Sequence, residues 1–339
     1  MSERAARIAL GVLVGMALLV ALATDLPELS EGRFWSDAAT YRSMAESLAF
    51  DRDLRFGPED LKRAREVYPG GPQGLFLTRV PDGDGGRELV FAKAQVYPLV
   101  GAPLVRVLGA DRGLLVFNAR CLGLALALGS RELRGEAKPG PALAGVAAVI
   151  LLGVVPVYLL WLTPEIFNLA LLAAALVAWR SGRPALAVVL FGLAAYSKPT
   201  NALVALPLLL DPLLSPGPWR RRILTSLRRG AGVVGVMALG FGATWLATGE
   251  LNYQGGERKT FYDSYPFDPG VTFDSAGVWM TTDHLGPLVA GRDEDKHTER
   301  VAPPRSPEEL RRSFVLNLGY FWLGRFGGAL PYFPGVVLA

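Results

Sequence analysis

The sequence predicts an all-α polytopic membrane protein of about eight transmembrane helices, with a small α/β extracytoplasmic first loop. Three observations lead there. Of 339 residues, 51% are hydrophobic and only 19% charged, with a mean hydropathy of +0.29, whereas a soluble domain carries about a quarter charged residues. The apolar residues lie in blocks rather than in amphipathic stripes. The cations gather between alternate blocks, which is the pattern of a cytoplasmic membrane face. The 39 Gly and 25 Pro are scattered without period, which excludes a collagen or linker character. A single cysteine, Cys121, excludes an intramolecular disulfide framework and a multi-cysteine zinc site.

Residues 8–23 are an uncharged run behind Arg4 and Arg7. Ala21-Leu22-Ala23 resembles a signal-peptidase site, but the run is long for a cleaved signal and further blocks follow. Residues 1–24 are therefore read as a retained signal anchor. An extracytoplasmic loop follows over 25–93, a transmembrane bundle over 94–249, a second loop over 250–314 and a last segment over 315–339. The later blocks are 113–130, 141–159, 164–179, 184–197, 201–215, 230–248 and about 315–339. Each should be helical, because only a helix satisfies its own backbone in lipid. Residues 96–109 are apolar but short and hold Pro98 and Pro103, which predicts a half-inserted or interfacial helix. The chain stops inside an apolar stretch at Gly335-Val336-Val337-Leu338-Ala339, which reads as a truncated last span.

With the N-terminus inside, the short inner segments hold twelve cations: Arg4, Arg7, Arg131, Arg134, Lys138, Arg180, Arg183, Arg220, Arg221, Arg222, Arg228 and Arg229. Only Glu3, Glu132 and Glu136 oppose them. The first outer loop carries 13 acidic and 10 basic residues and the second 12 and 8. The two loops sum to −7, which leaves +11 on the remainder of a chain of net charge +4. Nucleic acid is thereby a poor partner, since the cations line an inner membrane face instead of a binding surface. The Ala/Leu/Gly/Arg bias and the lack of any Asn-x-Ser/Thr site fit a bacterial inner membrane and cell envelope.

Within the first loop, Ser36 or Asp37 can cap a helix whose Tyr41, Met44, Ala45 and Leu48 form an apolar face suited to a membrane surface. Gly57-Pro58 with Glu59 and Asp60 opens a second helix that runs to Tyr68. Residues 75–80 and 87–92, joined by Pro81-Asp82-Gly83-Asp84-Gly85-Gly86, predict a β-hairpin. That turn lacks the bidentate Glu of a calcium loop. In the second loop, residues 253–262 mix aromatics, amides and the cations Arg258 and Lys259, which suits a sugar or a phosphate; a solvated loop is the alternative. His284 and His297 lack metal-site spacing and read as surface residues.

Ionisable residues beside a membrane usually face a cavity or each other. Asp37, Lys93, Glu165 and Lys198 all fall at the outer leaflet in this topology, and Arg120 lies inside a span. Snorkelling is the competing account of Glu165 and Lys198, and a buried ion pair that of Arg120. GxxxxGK[ST], GxSxG and CxxC are absent. A sugar carried on a polyprenyl phosphate suits an outer-leaflet site. Its transfer needs a carboxylate base and a cation or metal for the departing phosphate.

Residues 34–41 (Phe-Trp-Ser-Asp-Ala-Ala-Thr-Tyr) and 44–48 (Met-Ala-Glu-Ser-Leu) resemble the start of the first outer loop of GT-C-type, polyprenyl-phosphate-dependent glycosyltransferases, the protein O-mannosyltransferase and aminoarabinose transferase relatives. Residues 91–99 (Phe-Ala-Lys-Ala-Gln-Val-Tyr-Pro-Leu) with Ala102-Pro103 resemble that superfamily's Lys-x-x-x-Tyr-Pro stretch. Asn118-Ala119-Arg120-Cys121-Leu122 resembles its next helix, and Thr163-Pro164-Glu165 and Ser197-Lys198-Pro199 its short polar breaks. The resemblance covers residues 1 to about 215. It implies an inverting glycosyltransferase with Asp37 as base or metal-site residue. Lys93, Tyr97, Arg120, Glu165, Lys198, Arg258 and Lys259 are the substrate-binding candidates, Lys93 and Arg120 toward the lipid phosphate. The implied partners are a lipid-linked sugar donor, membrane lipid and a glycan, lipid or protein acceptor. A divalent metal ion is the candidate cofactor, although Ala38 stands where many relatives carry Glu after the Asp. A transporter, flippase or polymerase-type protein for lipid-linked sugars is the alternative; for a transporter, broken midplane helices should recur in both halves.

Overall fold

A computed structural model of the chain describes residues 2–82, 86–254, 257–262, 264–273, 276, 278–280 and 306–323. The protein is mostly helical (69%) with a few short strands. Among the described residues three helices are long and apolar enough to cross a membrane: α1 (Glu3–Ala23), the 24-residue α6 (Ala110–Leu133) and the 30-residue α12 (Trp219–Thr248). Helix α1 buries Ala6, Ala17 and Ala21 against its neighbours. It leaves Ile8, Val12, Met16 and Leu19 exposed. That apolar stripe is what a lipid-facing helix presents, since hydrocarbon accepts it and water does not.

The first loop folds into a compact unit. After α2 (Leu26–Leu29) and β1 (Phe34–Trp35), helix α3 (Ser36–Phe50) runs through its centre. Strand β2 (Arg55–Phe56), α4 (Pro58–Val67), β3 (Pro72–Gln73), β4 (Leu75–Pro81) and β5 (Arg87–Phe91) follow. The expected hairpin is β4–β5, with Leu77 opposite Phe91 and Arg79 opposite Leu89. Two expectations for α3 change. Neither Ser36 nor Asp37 caps it: Trp35 holds the cap position, Ser36 takes a left-handed φ of +57°, and Asp37 enters the first turn. Tyr41, Met44 and Ala45 do not lie on a membrane surface but are buried in the protein core. The reason is that α3 packs mainly on a later helix, α5 (Val96–Leu108), and also on β4.

Helix α5 (Val96–Leu108) turns at Gly109, whose φ of +81° a glycine adopts without strain, into α6 (Ala110–Leu133). The two helices close tightly at Gly113, where a Cβ would stand 2.6 Å from the backbone of Val105. Helix α6 is the central helix, wrapped by α1, α5 and the next elements, α7 (Pro139–Leu151), α8 (Val155–Leu159) and α9 (Glu165–Arg180). Beyond it, α10 (Pro184–Ser197), a 3₁₀ turn (Pro199–Ala205), α11 (Leu206–Leu214) and α12 (Trp219–Thr248) form a second packed group.

The eight expected spans therefore resolve into three helices of spanning length and several shorter ones. Block 141–159 breaks between α7 and α8, and block 201–215 divides into the 3₁₀ turn and α11. A 13-residue helix such as α7 rises about 20 Å at 1.5 Å per residue, short of the ~30 Å hydrocarbon layer. Helix α12, in contrast, begins eleven residues before the expected 230 and takes the Arg220–Arg222 cluster into its first turns. Helix α13 (Pro307–Leu323) likewise starts before 315. The turn at 83–85, both histidines and residues 324–339 lie outside the described residues.

The described part of residues 250–314 contains two strands. Strands β6 (Glu257–Phe261) and β7 (Val278–Met280) extend the hairpin into a five-stranded antiparallel sheet in the order β2-β5-β4-β6-β7. Leu75 pairs with Phe261 and Thr78 with Arg258, so the two outer loops share one sheet.

Candidate functional site

The site grows from the junction of α3 with the sheet. Thr40, on the first turns of α3, donates its hydroxyl to the Ser36 carbonyl (3.1 Å) and accepts the Phe76 N–H of β4 (3.0 Å). That clamp fixes Asp37 at the N-terminus of α3, where the helix dipole favours a carboxylate. Lys93 leaves the end of β5 and places its Nζ 2.8 Å from Asp37 Oδ1. The Lys93 side chain is only 12% exposed while Asp37 keeps 48%, so the carboxylate faces outward and the ammonium sits below it. Burial holds Lys93 under the ordinary lysine range, against the raising pull of Asp37.

Arg258 joins from the other loop. Its guanidinium stands 4.5 Å from the centre of the Phe76 ring, and Lys93 Nζ stands 4.3 Å from the same ring. Two cations thus share one aromatic platform. Burial also lowers Arg258, with Asp37 and Tyr41 pulling the other way. Lys259, one residue on, does not enter the site. Side chains alternate across a strand, and its Nζ turns into the core to meet the carbonyls of Phe273 (3.2 Å) and Ala276. Of the two candidate cations on β6, only Arg258 faces Asp37.

The ends of α9 and α10 close another side. Lys198 Nζ lies 3.4 Å from Glu165 Oε1. Phe167, on the first turn of α9, stands 6.0 Å from the Tyr97 ring, which in turn meets Tyr41 of α3 at 5.6 Å, so the head of α9 is linked by packing to the helix that carries Asp37. Tyr41 is pushed well above the usual phenol range by burial, then by Asp37. Of the outer-leaflet set expected to converge, Asp37 pairs with Lys93 and Glu165 pairs with Lys198.

Tyr97 and Arg120 need correction. Tyr97 is fully buried under the site as packing: it meets Tyr41 edge-on at 5.6 Å and donates its hydroxyl to Asn118 Oδ1 at 3.1 Å. Asn118 in turn donates to the Trp161 carbonyl at 3.1 Å. Arg120 is exposed on α6 and stays outside the cluster. At 100° per residue, positions 118 and 120 point about 200° apart, so burying Asn118 turns Arg120 away.

Sequence reasoning missed a buried network at the back of α3. Arg42, 2% exposed, bonds Asp111 of α6 (2.9 Å) and Glu46 (2.9 Å). The Tyr68 hydroxyl also donates to Asp111 at 2.9 Å. Burial pulls the Arg42 pKa down, but the two carboxylates outweigh it and leave the group above its ordinary value. The i,i+4 spacing of Arg42 and Glu46 was the available signal. Tyr253, the first aromatic of the 253–262 stretch, instead stacks on Phe241 at 5.5 Å and donates to the Tyr196 carbonyl at 3.4 Å, anchoring that segment to α10.

The residues present do not suit a divalent metal at Asp37. Its neighbours are two cations, and Ala38 supplies no second carboxylate. Among the described residues no group of three His, Cys, Asp or Glu side chains converges. A hollow of about 410 Å³ between α4 and Phe267-Asp268 is lined by Lys62, Arg65 and Glu66 and lies apart from the Asp37 cluster. Comparison with family models, curated proteins and solved structures finds no match for this chain.

Proposed function

We propose that the chain is a membrane glycosyltransferase that moves a sugar from a polyprenyl-phosphate donor to an acceptor hydroxyl at the extracytoplasmic face. One observation carries this reading: an outward-facing carboxylate on a helix N-terminus is held against two half-buried cations on an aromatic platform. A carboxylate base that takes a proton and cations that take a leaving phosphate are the two groups such a transfer requires.

In the reaction, the acceptor oxygen attacks the anomeric carbon from the face opposite the phosphate. The new C–O bond forms as the bond from the anomeric carbon to the phosphate oxygen breaks. The electron pair leaves with the phosphate, the acceptor proton passes to Asp37, and configuration inverts. Lys93 serves both halves of this step. In the free protein it neutralises Asp37; when a lipid phosphate arrives, the ammonium turns to it and releases Asp37 to act as base. Arg258 shares the phosphate charge. The resemblance over residues 1 to about 215 supports the same roles for Asp37 and Lys93. In this reading the acceptor is a glycan, a lipid or a protein hydroxyl.

The protein sits in a bacterial inner membrane with the N-terminus and the Arg220–Arg222 cluster in the cytoplasm. Cysteines introduced at exposed positions test this. Lys62→Cys on α4 should react with an impermeant maleimide in intact cells, and Arg221→Cys on α12 only after lysis; the reverse pattern overturns the orientation.

Mass spectrometry of envelope glycans and lipid-linked sugars tests the activity in cells lacking the gene. The expected result is accumulated donor together with a glycan short of one sugar. Donor trapped on the inner leaflet would instead favour a flippase.

A further inference from the structure

The heads of α9 and α10 hold an unusual set of polar groups. Thr163 (4% exposed), Asn168 (4%) and Ser197 (5%) are all buried. Thr163 Oγ1, Asn168 Oδ1 and Nδ2, and Ser197 Oγ have no hydrogen-bond partner, and neither has Glu165 Oε2. Buried side-chain polar atoms are paired in the large majority of cases, and each group left unpaired costs folding energy. Five such atoms within two helix ends therefore call for a function.

Their placement is coherent. The Glu165–Lys198 bond fixes the start of α9 beside the end of α10, and the two helices pack along their length. Asn168 lies one turn below Glu165 on the same face of α9, and Ser197 immediately precedes Lys198. Phe167, between Glu165 and Asn168 on α9, meets Tyr97 at 6.0 Å, and Tyr97 meets Tyr41, one turn along α3 from Asp37, at 5.6 Å, which ties the group to the helix that carries Asp37.

The chemistry of the set selects its ligand. Two hydroxyls and a carboxamide offer both donors and acceptors, and the free carboxylate oxygen offers an acceptor. A phosphate would be repelled by Glu165 and has better partners in Lys93 and Arg258. A neutral group rich in hydroxyls matches every member. We propose that Thr163, Glu165, Asn168 and Ser197 bind the hydroxyls of the glycosyl unit carried by the donor, next to Asp37, and so select the sugar. This assignment rests on the transferase reading above. The Lys198–Glu165 pair, at 3.4 Å and with Lys198 53% exposed, is a weak latch at the solvent end of the same helix heads. It opens to admit the ring.

The test uses the full chain in lipid nanodiscs. Binding is measured for bare undecaprenyl phosphate and for undecaprenyl-phosphate glucose, mannose, galactose and arabinose. The parent protein should bind at least one glycosylated carrier about tenfold more tightly than the bare one. Thr163→Val and Ser197→Ala, both nearly isosteric, should each erase most of that gain, and Asn168→Leu all of it. None should change affinity for the bare carrier. Because the deleted groups have no partner in the free protein, the Thr163 and Ser197 variants should melt at or above the parent temperature. A structural role predicts lower melting for both, and that result overturns the assignment. So does a parent that prefers no glycosylated carrier, or variants that keep the full preference. Failure to bind any carrier, bare or glycosylated, counts against the transferase reading itself.

Discussion

Asp37→Asn is expected to lower glycosyl transfer by about 10²–10⁴-fold, the usual contribution of a positioned general base, while membrane abundance stays at the parent level. The substitution is isosteric, and the carboxylate is nearly half exposed, so the fold does not depend on its charge. The amide oxygen can still accept from Lys93 and hold the local geometry, but it cannot take a proton from an acceptor hydroxyl. A second consequence follows at Lys93. Burial already lowers its pKa and Asp37 is the leading force opposing that shift. Without the carboxylate the ammonium loses its proton more readily, which weakens phosphate neutralisation as well. The measurement is turnover of a lipid-linked sugar in isolated membranes, normalised to protein by immunoblot. Parent-level turnover in Asp37→Asn would remove Asp37 from the chemistry.

Arg42→Met should be the most destabilising single change in the outer unit. Arg42 is 2% exposed and neutralises both Asp111 and Glu46. Deleting the cation leaves two carboxylates and the Tyr68 hydroxyl facing one another in the interior. Removing one partner of a buried ion pair costs about 3–5 kcal/mol. The contact also ties α3 to the start of α6, so its loss should loosen the platform that carries Asp37. Thermal melting in detergent reads the effect. Adding Asp111→Asn to Arg42→Met should recover part of the loss, because the orphaned charge disappears and the two sites are coupled. A single variant that melts with the parent would refute the network's role.

Much of this architecture is legible in the residues, and the gaps have physical causes. Proline, glycine and β-branched runs marked the β4–β5 hairpin and helix α4, because turn chemistry is local. The eight apolar blocks were visible, but composition alone does not reveal that block 141–159 breaks between Leu151 and Val155 or that block 201–215 begins as a 3₁₀ turn. Strand β6 escaped because Lys259 stands at a core-facing position, which destroys the polar–apolar alternation by which strands are recognised. Only its pairing with β4 explains how the amine is accommodated, through carbonyls that lie more than ten residues along the chain. At the site, charge bookkeeping identified Asp37, Lys93, Glu165 and Lys198. It failed at Arg120, since a charged residue in an apolar block was weighed without asking which way its helix turned. Thr163, Asn168 and Ser197 carry no charge, so nothing in the linear text distinguished them from ordinary helix-end residues.

The strand order β2-β5-β4-β6-β7 has a bearing on biogenesis. Strands β4 and β6 are adjacent in the sheet yet more than 170 residues apart in the chain, with the whole helical bundle inserted between them. On the ribosome, β4 emerges early and must wait, one hydrogen-bonding edge unmatched, until translation has delivered the last long helix and the segment beyond it. Arg258 travels on that late-arriving strand. The pairing of Arg258 with the platform of Phe76 and Lys93 is consequently completed only after the helices between the two strands have been made.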